Sequence, residues 1–233
     1  TGQSYSGGGA TASATTTGGD VTVNNGGVLS TAGDYAYGIS AAALSASYAL
    51  DHTTAYGTYA ASATGGTLTV TNAGSITTIG IAAHGIYAES NSVSESNGTA
   101  AATGGAVNIT NSGDIITQGV DSIAIVARSY GSATGGLAAA ATNGNITIDV
   151  TGGTIQGGSG DGAGISFSDG ATNTLNNAGS IFALSGKAVG GGDGNETINN
   201  AGLIRGNVDL GGGTNAFNNN TGGTFNSGAV VNL

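Results

Sequence analysis

The sequence predicts an all-β fold: a right-handed parallel β-helix (a β-solenoid) of about seven coils, with β-hairpin extensions on its N-terminal coils. Three observations predict it. The stretch "TVTNAGSITT" at 69–78 returns in altered form as "NITNSGDIIT", "LNNAGSIFAL" and "INNAGLIRGN". Apolar residues alternate with polar ones, and no segment carries the i, i+3, i+4, i+7 spacing of a helix. Finally, the chain has 47 Gly, only 12 aromatic residues and no Pro, Met, Trp or Cys among its 233 residues, so its core must be narrow and made of small pieces.

Composition also excludes several classes of function. Disordered chains combine low hydrophobicity with many charges, whereas here 38% of residues are hydrophobic and 7% charged. Three basic residues, Arg128, Lys187 and Arg205, stand against 13 acidic ones, giving a net charge of −10 and no basic patch for nucleic acid or anionic lipid. The absence of Cys removes disulfide frameworks and Cys-based metal sites. No apolar run approaches the roughly 20 residues that span a bilayer as a helix.

The repeat is anchored on Gly followed two residues later by an aliphatic residue or Phe. Its glycines are Gly27, Gly74, Gly113, Gly153, Gly179, Gly202 and Gly223, spaced by 47, 39, 40, 26, 23 and 21 residues. Such self-similarity marks a solenoid or array. Two residues before each glycine stands Asn25, Asn72, Asn111, Thr151, Asn177, Asn200 or Thr221. Asn tolerates left-handed backbone and Gly enters φ > 0 without steric cost, so each pair is expected to turn a corner, with an Asn ladder along the stack. The aliphatic residues Leu29, Ile76, Ile115 and Ile155 are followed ten residues later by Ile39, Ile86, Ile125 and Ile165, so each coil sends at least two or three inward side chains to one narrow interior. Each contributes about 1.5–3 kcal/mol, but only when a neighbouring coil covers it.

The early spacings are nearly twice the late ones because extra residues are inserted around "LDHT" (50–53), "SNGT" (96–99), "TGGL" (134–137) and "SDGA" (168–171). Asn-Gly, Gly-Gly and Asp-Gly pairs are hairpin signals, so each insertion is expected to run out, reverse and return, and the hairpins to form a fin. The expected organisation is a single domain over 1–233. Within it, 1–17 ends a truncated hairpin or coil, 18–170 holds the coils with insertions and 171–233 the short bare coils. The opening "SYSGGGATASATTTGGDVTV" reads as the returning arm of one more hairpin, so the chain is expected to begin mid-coil.

Candidate chemistry is sparse. His52 lies at a predicted tip beside Asp51 and His84 before Gly85-Ile86, with no nucleophile placed for either. Both read as exposed loop residues. "GGDGNETIN" at 191–199 is similar to the calcium-binding nonapeptide of β-rolls but occurs once, with Glu196 in place of Asp, and reads as a glycine-rich turn. The acidic residues Asp20, Asp34, Glu89, Glu95, Asp114, Asp121 and Asp149 form no repeated in-register pair, as a glycan-cleaving β-helix would require. Threonine pairs such as Thr67 and Thr69 lack the coil-to-coil register of an ice-binding face and fit outward strand positions. No catalytic residue, metal ligand or cofactor is expected. Tyr35, Tyr37, Tyr48, Tyr56, Tyr59, Tyr87 and Tyr130 gather in the early coils, where they either fill the space between hairpins or form a binding surface.

The final stretch "NNAGLIRGNVDLGGGTNAFNNNTGGTFNSGAVVNL" (199–233) resembles the closing coils of autotransporter passenger domains of Gram-negative bacteria, and "GGTLTVTNAGSITTIGIAAHGIYAES" (65–90) resembles their repeating body. That resemblance implies secretion through a C-terminal outer-membrane barrel, which lies outside this sequence, and display at the cell surface as a non-enzymatic adhesin or virulence factor. The implied partners are a host cell-surface or extracellular-matrix protein or a glycan, with self-association between passengers as a further possibility and no nucleic acid. Any binding is expected in the fin, at Tyr48, Asp51, His52 and Tyr56 on the first tip and Glu95 and Asn97 on the second. The competing expectations are an inert stalk that holds a distal domain away from the membrane and a glycan-degrading enzyme. The lack of heptads disfavours a trimeric adhesin.

Overall fold

In the computed structural model, which describes residues 2–6, 11–50 and 58–233, every residue in regular structure lies in a strand and no helix occurs among them. All strand pairings among the described residues are parallel and join equivalent segments of successive repeats. The result is a solenoid-like stack of three parallel sheets.

One repeat illustrates the path. Leu68–Asn72 lies in a seven-stranded sheet, Ser75–Thr78 and the long Ile86–Ser96 lie in a large sheet, and Thr99–Thr103 lies in a four-stranded sheet before Val107–Asn111 returns to the first. The two segments within the large sheet are separated by a seven-residue corner in the early repeats, as at 79–85. That corner shrinks until Leu203–Asp209 runs through both positions as one strand, with a register shift beside Gly206, whose φ is 128°. The same corner carries left-handed backbone at Tyr35, Ala82, Asp121 and Gly160, stacked through Tyr35 N–H to Ile81 O, Ala82 N–H to Val120 O and Asp121 N–H to Ser159 O. Stacking imposes a conformation that Tyr and Ala disfavour in isolation.

The expected inward residues do form the core. Leu29, Ile76, Ile115, Ile155, Ile181 and Ile204 share one column and Ile39, Ile86, Ile125, Ile165, Val189 and Val208 another. From Ile76 and Ile86 onward they are buried, and with Leu68, Val70, Val107, Ile109, Ile146 and Ile148 they make one continuous apolar interior.

The Asn ladder is present, and it carries hydrogen bonds from coil to coil. Asn25 Nδ2 donates to Asn72 Oδ1 and Asn72 Nδ2 to Asn111 Oδ1, each at 2.7 Å. Thr151 interrupts the row, donating its backbone N–H and its hydroxyl to Asn111 O. Asn177 to Asn200 (2.8 Å) and Asn200 to Asn219 (2.7 Å) resume it. The last rung is therefore Asn219 and not Thr221, because that turn is longer. Scattered carboxylates also bind coil to coil, since Asp20, Asp34, Asp114 and Asp121 accept the backbone N–H of Thr67, Ile81, Thr154 and Asp161 from the next coil at 2.7–2.9 Å.

The repeat glycines require a correction. Among Gly27, Gly74, Gly113, Gly153, Gly179, Gly202 and Gly223 only Gly153, with φ 75°, has left-handed backbone. Gly74, Gly113, Gly179, Gly202 and Gly223 are demanded by close approach: a Cβ on Gly113 would lie 1.8 Å from Gly74 O, and one on Gly202 would lie 2.2 Å from Gly179 O.

The insertions also differ from expectation. The arms Ile39–Ala49 and Thr58–Thr64 do not hydrogen-bond to each other; each pairs with the same arm of the next repeat, in the large and the four-stranded sheet respectively. They form a stacked arch whose two sheets face each other. The inward residues explain why: Ala41, Ala43, Ser45, Ser47 and Ala49 on one arm and Tyr59, Ala61 and Ala63 on the other are buried. Side chains this small let two sheets approach closely, and stacking satisfies every interior backbone group in continuous ladders. Serines pin the neck of the arch, with Ser90 Oγ donating to Gly66 O and accepting from Gly105 N, and Ser129 Oγ repeating this with Gly105 O and Gly144 N. The arch ends at Ala138–Thr142, which no further rung covers and which is exposed along its length. Of the Asn-Gly, Gly-Gly and Asp-Gly turns described, only Asp169-Gly170 has two positive φ values, 60° and 73°.

Gly113→Ala should cost about 1–3 kcal/mol in urea unfolding because the stacked backbones must part. Gly27→Ala, at the same repeat position but with only Asn25 Oδ1 near its Cβ at 3.9 Å, should stay within about 0.5 kcal/mol of the parent.

Candidate functional site

Strand alternation turns one set of residues on the long strands away from the core, and parallel register lines them up in columns. One column runs Ala42, Glu89, Arg128, Ser168, and its neighbour runs Leu44, Asn91, Tyr130. Another runs Ser40, Tyr87, Val126, Ser166, Gly190, Asp209. The corner loops place Tyr37, His84 and Ile123 in successive rungs alongside.

These columns build an aromatic ledge. Tyr37 stacks on His84 with ring centroids 5.0 Å apart and on Tyr87 at 5.5 Å, and His84 and Tyr87 are 6.2 Å apart with rings only 14° from parallel. His84 Nδ1 accepts the Ile123 backbone N–H at 3.0 Å, which fixes the ring and requires that nitrogen to be unprotonated. Burial holds the imidazole below its ordinary value of 6.5. His84 is thus a half-buried member of a stack, in place of the exposed loop residue that the sequence implied.

Beside the ledge lies a chain of charges. Tyr87 Oη donates to Glu89 Oε2 at 3.0 Å, Asn91 Nδ2 donates to Glu89 Oε1 at 3.3 Å and an Arg128 amino group lies 3.8 Å from that same oxygen. Arg128 Nε donates to Asp169 Oδ2 at 2.7 Å, and its guanidinium sits 4.9 Å over the Tyr130 ring. The Asp169 hydrogen bond raises the Arg128 pKa, while burial, followed by the Glu89 hydrogen bond and charge, raises that of the Tyr87 phenol. Side-chain exposures of 33% for Arg128, 16% for Glu89 and 30% for Asp169 leave the pairs only partly screened by water, so they fix this face more firmly than open surface pairs would.

Further along, the same columns reach Ala163, Ser166 and Gly190, too small to fill the face, with Lys187 beside them. A groove of 370 Å³ opens there, lined among others by Ile123, Ala163, Ser166, Lys187 and Asp209, with Lys187 Nζ donating to Asp161 Oδ1 at 2.7 Å on its rim. The face therefore presents flat π-surface, fixed donors and acceptors, and a concavity in sequence. That equipment suits recognition of a ligand with both apolar and hydroxylated or amide faces.

The sequence-proposed residues distribute unevenly. Tyr48 and Glu95 are direct register partners on the outer end of this face, and Asn97 follows at the turn, its N–H donating to Ala49 O at 3.2 Å. Asp51, His52 and Tyr56 lie outside the described residues. Tyr59, one of the tyrosines that on sequence either fill the space between hairpins or form a binding surface, is 4% exposed and belongs to the arch interior. Asn25, Asn72, Asn111, Asn177 and Asn200 serve the ladder and lie apart from this face. Sequence reasoning does not group Glu89, Arg128 and Asp169 as a unit; the signal is the in-register spacing of 39 residues from Glu89 to Arg128, with Asp169 one residue past Arg128's partner Ser168, legible only once the coil lengths are fixed. Among the described residues no three His, Asp or Glu side chains converge on a point that could hold a metal.

No protein-family profile, no curated protein and no solved structure matches the chain.

A depressed histidine makes a pH prediction. As pH falls through 6.5 the unfolded chain takes up the His84 proton before the folded one does, so stability is lost on acidification. Melting temperature should fall between pH 7.5 and 5, and His84→Phe, which keeps a ring in the stack, should remove that part of the fall.

Proposed function

We propose that this chain is part of an autotransporter passenger domain, a right-handed parallel β-helix of about seven coils displayed at the bacterial surface, and that it acts as a non-enzymatic adhesin. Its partner is a host cell-surface or matrix protein or glycan. The observation that carries this reading is the outer face of the long strands, where Tyr37, His84 and Tyr87 stack beside the Glu89–Arg128–Asp169 chain and lead into the Lys187 groove. Rigid aromatics offer contact area at low entropic cost, and a pre-formed ion network supplies oriented polar contacts. The rigid stack beneath keeps the face in place, so little ordering is needed on binding.

The alternative of a stalk is favoured by one feature, the coil-to-coil side-chain hydrogen bonds of the Asn ladder, which resist bending. Beads coated with the chain separate the two when tested on cultured epithelial cells and immobilised matrix proteins. The adhesin reading expects binding by the parent and a loss of about tenfold or more in Tyr87→Ser/Arg128→Gln, with circular dichroism unchanged. Absence of binding by the parent would instead support the stalk, and equal binding by both proteins would move the contact off this face.

A further inference from the structure

One inward column changes character along the stack. It reads Val21, Leu68, Val107 and Ile146, then Asn173 and Glu196. Both polar side chains are fully enclosed, at 0% exposure. Asn173 Nδ2 donates to Glu196 Oε1 at 2.8 Å and to Asp169 O at 3.1 Å, and Gly192 N–H points at the same Glu196 oxygen from 3.4 Å. The two remaining oxygens, Asn173 Oδ1 and Glu196 Oε2, receive no hydrogen bond.

A buried carboxylate is costly unless a charge or a metal compensates it. No basic side chain does so. Arg128 pairs with Asp169 and Glu89, Lys187 pairs with Asp161, and Arg205 lies 4.5 Å over the Phe182 ring. Backbone stripped of side chains lies against Asn173. The Asp169-Gly170 turn brings a glycine against Asn173, where a Cβ would fall 2.0 Å from Oδ1. A Cβ on Gly194 would lie 2.7 Å from both Asn173 Nδ2 and Gly170 O. The cradle thus offers one unpaired carboxylate oxygen and one unpaired amide oxygen, with the carbonyls of Asp169 and Gly170 on the Nδ2 side of Asn173.

We propose that Glu196 and Asn173 bind a hard cation, with calcium as the best match to an all-oxygen donor set. The site shares Glu196 with "GGDGNETIN" and draws Asn173 from the preceding coil. The cation neutralises the buried carboxylate and ties that coil to the next where the apolar column ends. Asp169 links the two sides of the wall, its carbonyl facing the cradle and its carboxylate holding Arg128 outside.

Calorimetric titration of the chelator-treated chain with calcium chloride, with magnesium chloride as a second arm, tests the proposal alongside thermal melting. Calcium should bind one per chain and raise the melting temperature by about 5–10 °C at a hundredfold excess over its dissociation constant. Glu196→Gln should melt independently of calcium, and Asn173→Asp, which adds a second carboxylate, should bind it about tenfold more tightly. Failure of the parent to respond to calcium overturns the proposal even if both variants misfold. An unchanged calcium response in Glu196→Gln overturns it equally.

Discussion

Everything in this molecule follows from in-register parallel stacking, in which each backbone segment lies about 4.8 Å from its own equivalent one coil away. The constraint acts on every repeat position at once. It forbids a Cβ on Gly74 and Gly113 because the carbonyl of the coil beside them occupies that space. It rewards amides at Asn25, Asn72 and Asn111, which can donate to one neighbour and accept from the other. It holds Tyr35, Ala82 and Asp121 in left-handed backbone, which Tyr and Ala disfavour alone, through amide hydrogen bonds to the neighbouring coil.

The arch is the same constraint applied with smaller side chains. In the central interior, Ile and Leu fill the space between the sheets. In the insertions, Ala and Ser allow two sheets to close on each other, so burial per residue is low and backbone ladders carry more of the cohesion. Ser45 and Ser92 meet at 2.9 Å inside it, a polar contact that a fatter interior would exclude. The outward side of that sheet is then free to vary, and it is there that aromatic and charged residues collect. Rigid support and chemically varied surface come from the two faces of one set of strands.

How much of this is legible in the sequence depends on whether the signal is local. The coil columns Leu29, Ile76, Ile115 and Ile39, Ile86, Ile125 are legible, because each sits at a fixed distance from its Asn-x-Gly marker. The Asn ladder is legible for the same reason, until Asn219 slips two residues out of pattern. The arch reads as hairpins because Asn97-Gly98 carries hairpin chemistry, while the face-to-face closure is announced only by small residues at alternate positions. The repeat glycines read as corner-turners because close approach and positive φ both select Gly and leave the same letter. The Glu89–Arg128–Asp169 chain spans three coils, so no local window contains it, and His84 reads as a loop residue because its stacking partners lie a coil or a strand away.

Because the chain has no native cysteine, engineered pairs can read the register of the arms directly. Ala46 and Val93 are parallel partners in adjacent coils, at a separation suited to a disulfide, whereas an antiparallel hairpin would set Ala46 opposite Ala61. The decisive measurement is oxidative cross-linking of Ala46→Cys/Val93→Cys beside Ala46→Cys/Ala61→Cys. Stacked arches predict rapid cross-linking in the first pair and none in the second, since Ala61 points into the arch and Ala46 away from it. Cross-linking of the second pair in place of the first would contradict parallel stacking of the arms, and with it the face on which the functional reading stands.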